Sequence, residues 1–281
     1  MNATALEPTA PTTDVAEILA AIQTLFPQPD QLVDLRTITG RQISVGFYRD
    51  HQKLADTIAE RSGKVGAVYY TLNQPAAGLY TEKNADKLVG QKSTADCHIV
   101  HRDWLLVDCD PVRVEDGQPL TDQKVSATDA EKAASLATAK QVLKYLTDLG
   151  WPAPVTADSG NGFHLLYRLD LTSTPEVTAA IRTFLERLAA KFNTSAVKID
   201  TVVYNAARIT KAYGSMACKG SNTVDRPHRK SSLRNTTGGK GVVTLDQIQA
   251  AVPAPQPKTG VIIKKKASAG DGITPDKIDE F

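Results

Sequence analysis

The chain has 281 residues, with 33 Lys and Arg against 31 Asp and Glu, a formal net charge of +2, 41% apolar and 23% charged residues. That balance is the one expected of a globular chain with room for one large domain or two small ones, and no run approaches the ~18 apolar residues of a membrane span. Cys97, Cys109 and Cys218 are too few and too scattered for a disulfide framework or a paired-cysteine zinc site, and MNATALEPTAPTTD has no secretory pattern, so a cytoplasmic setting is expected.

Residues 1–13, rich in Ala, Thr and Pro, read as a disordered lead. Asp14 is an N-cap for an amphipathic helix through Phe26, with Val15, Ile18, Leu19, Ile22 and Leu25 on its apolar face. ISVGFYR and KVGAVYYTLN read as strands on either side of a helical HQKLADTIAER, and WLLVDCDP is an apolar strand stopped by a proline. A helix is predicted from Asp129 to Leu149, then strands at PVTAD and FHLLYRLD joined by SGNG, then a helix over 175–192. Alternating helices and strands place the chain in the α/β or α+β class with a mixed sheet. Residues 253–281, rich in Pro, Lys, Gly, Ala and Asp, read as a linker or tail, with Lys264, Lys265 and Lys266 as a solvated charge run.

The chemistry begins at WLLVDCDP. Asp108 and Asp110 lie two apart in a strand, so both carboxylates leave one face, the face of Trp104 and Leu106. Leu105, Val107 and Cys109 point the other way, toward a covering helix. Two like charges this close need neutralising, and a divalent cation with a taste for hard oxygen ligands, Mg2+ or Mn2+, does that directly. Pro111 ends the strand and puts the pair at a strand edge, where open sheets bind ligands. A pair of solvated aspartates at a surface strand end satisfies the same short pattern.

In Ser159-Gly160-Asn161-Gly162, the glycines allow backbone N–H groups to approach an anion, and His164 on the following strand can donate to the same anion. A tight hairpin with a surface histidine is the alternative. Asp200 interrupts an apolar stretch, which suits either a metal ligand at a strand end or a capping residue. Between Thr201 and Lys240 stand Arg208, Lys211, Lys219, Arg226, Arg229, Lys230, Arg234 and Lys240 against the single acid Asp225. That local excess favours a polyanionic partner, and a solvated basic loop is its bland equivalent.

Taken in order, LLVDCDP, SGNGFH and KID at Lys198 to Asp200 resemble the three motifs of the archaeo-eukaryotic primase superfamily. The longer runs DSGNGFHLLYRLDL and VYNAARITKAYGS, with YYTLN and SATDAEKAA, are similar to bacterial, phage and plasmid primase-polymerase domains over about residues 43–233. The resemblance implies a catalytic core with an RNA-recognition-motif-like sheet, joined to an N-terminal α/β unit, the active site lying in the cleft between them. The catalytic domain would occupy residues 14–252. Asp108, Asp110 and Asp200 would hold two divalent ions, Mg2+ or Mn2+. Ser159, Gly160, His164, Arg208, Lys211 and Lys219 would face the triphosphate of a nucleoside triphosphate. Single-stranded DNA template and primer would be the partners, with a helicase as a further one. The chain departs from the family in having lysine at 211 where some relatives have arginine, and in lacking a cysteine cluster. A non-catalytic nucleic-acid-binding module with the same fold and a metal-dependent nuclease are the rival readings.

Overall fold

The computed structural model describes residues 13–90, 92–121 and 124–251. The segments expected to be a lead and a tail, 1–12 and 253–281 with Lys264 to Lys266, lie outside them. Thr13, placed at the end of the disordered lead by sequence, donates its hydroxyl to Ser62 at 2.9 Å.

The elements in chain order are α1 (Val15–Leu25), β1 (Val33–Thr39), β2 (Gln42–Tyr48), α2 (His51–Arg61), β3 (Ala67–Thr71), β4 (His101–Pro111), β5 (Val114–Glu115), β6 (Gln118–Pro119), α3 (Asp129–Asp148), β7 (Val155–Asp158), β8 (Phe163–Thr172), α4 (Pro175–Phe192), β9 (Val197–Ile199), β10 (Ile209–Lys211), β11 (Met216–Ala217), β12 (Arg229–Lys230), β13 (Ser232–Asn235) and α5 (Leu245–Ala250). The helices start where side chains satisfy their free N–H groups. Asp14 caps α1, Asp50 caps α2, Thr128 and Glu131 form a capping box on α3, and Thr174 caps α4.

Two larger sheets frame the molecule, one in the order β10-β3-β1-β2 and the other β13-β7-β8-β4-β9. Every pairing between these strands is antiparallel. The α+β expectation holds, but the parallel component of the expected mixed sheet is confined to isolated bridges, Phe47 with Ala85 and Arg168 with Val242. α3 and α4 pack on the second sheet, with α3 over the Leu105, Val107 and Cys109 face of β4, where the Ser135 hydroxyl donates to the Cys109 carbonyl. A continuous core runs from Ile18, Ile22 and Tyr70 in the first half to Val107, Leu166 and Phe184 in the second.

β1 escapes the sequence pattern because it carries Asp34 and Arg36 in its buried length. They form an ion pair at 2.8 Å with both side chains enclosed, a polar interruption that disguises a buried strand. The N-terminal unit is also not closed by N-terminal residues alone. β10 is its edge strand, antiparallel to β3, so residues 209–211 cross into the first sheet. Asn73 fastens this arrangement: its side chain accepts from the N–H groups of Asp103 and Trp104 and donates to the Ala206 carbonyl. No helix among the described residues is long and apolar enough to cross a membrane.

Candidate active site

A cleft of about 300 Å³ opens between the two sheets. One wall is Ile38, Gly66, Ala67 and Tyr69 of the first sheet together with β10. The other is Leu106, Asp108 and Asp110 of β4 with His164 of β8. Of the nine residues singled out from the sequence, Asp108, Asp110, Ser159, His164, Asp200, Arg208, Lys211 and Lys219 all line it. Gly160 does not. Its N–H is taken by Asp158 Oδ1 at 2.8 Å, and a Cβ placed on it would lie 2.7 Å from that of Ala217. Gly160 therefore serves the turn, at φ +92°, and packs against β11, with no N–H left for an anion.

The acids take their places from strand pairing. Asp108 is directly opposite His164, Asp110 is opposite Lys198, and the Asp200 N–H donates to the Asp108 carbonyl at 2.9 Å. Gly162 allows the turn to approach this ridge, because a side chain there would meet the Cys109 carbonyl at 2.5 Å and Asp110 Oδ1 at 3.0 Å. Ser159 closes the turn, its hydroxyl accepting from the Gly162 N–H at 2.9 Å. The Asn161 side chain, which sequence reasoning passed over, also lines the cleft and accepts from the Ala127 N–H, pinning the turn to the start of α3.

Asp108 Oδ1 is buried and accepts no hydrogen bond, while His164 Nε2 stands 3.4 Å from it. Burial pushes the Asp108 carboxyl up, but the His164 ring, with Lys219 and Arg113 beyond, holds it below its ordinary value. Asp110 goes the other way, raised by burial and by the Asp108 charge, against the pull of Arg113, whose guanidinium is 3.7 Å away. Burial alone would lower the His164 pKa, yet Asp108 and Asp110 raise it. The other ring nitrogen, Nδ1, is 2.7 Å from the Tyr213 hydroxyl, with Thr210 at 3.4 Å. Tyr213 and Thr210 are contacts of this site that were not singled out from the sequence, although both lie in the run VYNAARITKAYGS.

Of the two roles left open for Asp200, the structure shows the cap, and its second oxygen is engaged by a cation of this chain. Oδ1 caps the short 3-10 turn over 201–204 by accepting from the Val202 N–H at 2.8 Å, and Oδ2 pairs with Arg208 at 3.1 Å. Among the described residues no group of three or more His, Cys, Asp and Glu side chains is gathered closely enough to hold a metal ion. The expected three-acid set is present in one cleft but not drawn together. The Asp108–Asp110 pair nevertheless suits a divalent cation: two hard oxygen donors share a face, they repel each other, and one buried oxygen has no donor.

The cations divide sharply. Lys211 is buried, its ammonium donating to the Met216 carbonyl at 2.6 Å over the ring of Tyr69, and burial lowers its pKa to about 7. Lys219 lies on the cleft wall, near enough to lower both Asp108 and Asp110. Four further members of the basic run are answered by acids from elsewhere in the chain, and Lys240, among the described residues, is not. Arg226 pairs with Glu131, Arg229 with Asp129, Lys230 with Glu17 and Arg234 with Asp158. An excess of charge in sequence is thus largely neutralised in space, and most of this run braces the loops behind the cleft.

No protein-family model matches the sequence, and no curated protein matches it. Among solved structures, the chain is similar to the AEP domain of the cyanophage S-2L primase-polymerase, at 15% identity over 86% of this chain and 100% of that one, with a TM-score of 0.47. It is also similar to primase RepB′, at 11% identity over 84% of this chain and 61% of that one, with a TM-score of 0.44.

Proposed function

We propose that this chain is a primase-polymerase-type nucleotidyltransferase that joins nucleoside triphosphates on a single-stranded DNA template, in the replication of a plasmid, phage or mobile element. One observation carries the reading: a single cleft is lined by acids and cations together, Asp108, Asp110 and Asp200 with Arg208, Lys211 and Lys219. A hydrolase acting on phosphodiesters needs the acids but not three cations lining the same cleft.

Asp108 and Asp110 would hold the divalent cation, Mg2+ or Mn2+, and Asp200 would complete a two-ion set by exchanging its pairing with Arg208. The bound cations supply activation of an attacking hydroxyl and neutralisation of the charge on the leaving pyrophosphate. Arg208, once free of Asp200, Lys211 and Lys219 hold the β- and γ-phosphates and stabilise the charge that develops on them. His164, whose protonated form the Asp108 charge favours, would donate toward a phosphate oxygen while Tyr213 fixes its ring. Tyr69 and Ile38 close the apolar side of the cleft and limit water. Residues 14–252 form the catalytic unit on this reading, working in the cytoplasm, and 253–281 would tether it to a helicase or another replication module.

The test is incubation of the chain with single-stranded DNA, labelled ribo- or deoxyribonucleotides and Mg2+ or Mn2+, with and without an annealed primer. Template-dependent extension is the expected result. DNA shortening in place of extension would assign a nuclease, and binding without any change in DNA length a non-catalytic module.

A further inference from the structure

Arg102 belongs to β4, the strand that carries Asp108 and Asp110, and at 2% exposure it is among the largest enclosed side chains of the protein. It makes no ion pair among the described residues. Its guanidinium donates to three neutral oxygens: Nε to the Ser173 hydroxyl at 3.3 Å, one terminal nitrogen to the Tyr204 carbonyl at 2.9 Å and the other to the Thr178 hydroxyl at 2.9 Å. Burial lowers its pKa to about 10 against the pull of the Asp96 charge, so it stays charged at neutral pH.

A buried charge with no counter-charge in contact is costly, and packing alone would be met by an apolar side chain of similar volume. What arginine adds is a rigid fork of donors that can bind several segments at once. Here the fork joins three: Ser173 ahead of α4, Thr178 on α4, and Tyr204 at the end of the 3-10 turn over 201–204. That turn is strung between two residues of the cleft. Asp200 caps its start, and Arg208, paired with Asp200 at 3.1 Å, follows its end. Residues 205–207 have anchors of their own, Asp96 for the Asn205 side chain and the Ala207 N–H, and Asn73 for the Ala206 carbonyl. Arg102 holds the turn itself. It also lines, with Val203, Asn205 and Arg208, one small interior void of about 10 Å³, so the two arginines are neighbours through the protein interior.

We infer that Arg102 is a positioning residue for the cleft: by holding the Tyr204 carbonyl against α4, it fixes the segment 200–208 whose two ends present Asp200 and Arg208. The consequence for nucleotide binding rests on the nucleotidyltransferase reading of the cleft, whereas the fixing of the segment does not.

The experiment compares the unaltered full chain with Arg102→Met, which fills the space without the donors, and Arg102→Lys, which keeps one donor for the Tyr204 carbonyl. Amide hydrogen exchange is followed by mass spectrometry, and primer extension is measured with separate titrations of nucleotide and DNA. In Arg102→Met, exchange across 200–208 should quicken at least about tenfold while α3 and β8 stay protected and the thermal unfolding temperature is essentially retained. The KM for nucleotide should rise about fivefold or more and the KM for DNA should stay within about twofold. Arg102→Lys should recover most of both effects. Should the methionine variant fail to fold, Thr178→Val, which releases the guanidinium from α4, should move both readouts the same way by a smaller factor. Unchanged exchange across 200–208 in the folded methionine variant, or in Thr178→Val where that variant decides, overturns the inference. Exchange that quickens throughout the second sheet with a lowered unfolding temperature also overturns it, because Arg102 is then a brace of the core. Faster exchange across 200–208 with an unchanged nucleotide KM overturns its role in the cleft and leaves the nucleotidyltransferase reading standing. An unaltered protein that extends nothing overturns that reading, and the exchange data then decide the fixing of the segment by themselves.

Discussion

Asp108 and His164 stand directly opposite each other on adjacent strands, with Nε2 of the histidine 3.4 Å from a carboxylate oxygen that accepts no hydrogen bond. Each favours the charged form of the other, and Tyr213 fixes the far side of the ring at 2.7 Å. His164→Ala should therefore remove this ring from the nucleotide side of the cleft and leave the rest of the surface intact. Steady-state kinetics should show the KM for nucleotide rising about tenfold or more while DNA affinity changes little. Equal losses in both would point to a template-binding role.

Lys211 offers a test by pH. Its burial lowers the ammonium pKa to about 7, so the positive charge in the cleft wall is present below that pH and lost above it. If the charged form holds the triphosphate, the KM for nucleotide should rise with pH, by up to about tenfold between roughly pH 6 and pH 8. Lys211→Met, which keeps the apolar stem without the charge, should have a high KM that no longer varies across this range. A wild-type KM that is flat across neutrality would remove Lys211 from the phosphate site.

Asp200 separates capping from catalysis. Asparagine can keep the oxygen that accepts from the Val202 N–H, whereas alanine cannot. Denaturant unfolding should show Asp200→Ala losing about 1 kcal/mol and Asp200→Asn less. Nucleotide incorporation should be lost in both. Normal incorporation by the asparagine variant would mean that Asp200 is a cap alone.

Arg226 was expected, as part of the basic run, on a nucleic-acid surface, and the structure gives it different work. It makes paired hydrogen bonds to Glu131 and reaches the carbonyls of Ser126 and Val114. Arg226→Ala should cost about 2–4 kcal/mol in unfolding free energy, because a partly enclosed carboxylate loses its partner. DNA affinity, measured by fluorescence anisotropy, should be nearly unchanged. A large loss of affinity without a loss of stability would restore the original expectation.

These cases show what the sequence can and cannot carry. α2 and α4 were legible to the residue because caps, apolar period and terminators agree along a short stretch. The Asp108–Asp110 face was legible because a strand alternates sides whatever surrounds it. β1 was hidden by a buried ion pair of its own, and β10 by its length of three residues and its pairing with a strand far earlier in the chain. Glu131, Asp129, Glu17 and Asp158 answer the basic run from distant positions, so charge counted along the chain misstates charge at the surface. Gly160 was read as an anion contact from its local motif, but its N–H had already been claimed by Asp158, two residues away.

The most direct measurement is incorporation of labelled nucleotide by Asp108→Asn beside the unaltered protein, on primed single-stranded DNA with Mn2+ or Mg2+. Asparagine keeps the size of the side chain and removes its charge. Incorporation should fall by at least about a thousandfold with the thermal unfolding temperature essentially retained. Extension at near the unaltered rate would contradict the assignment of this cleft as the site of nucleotide transfer.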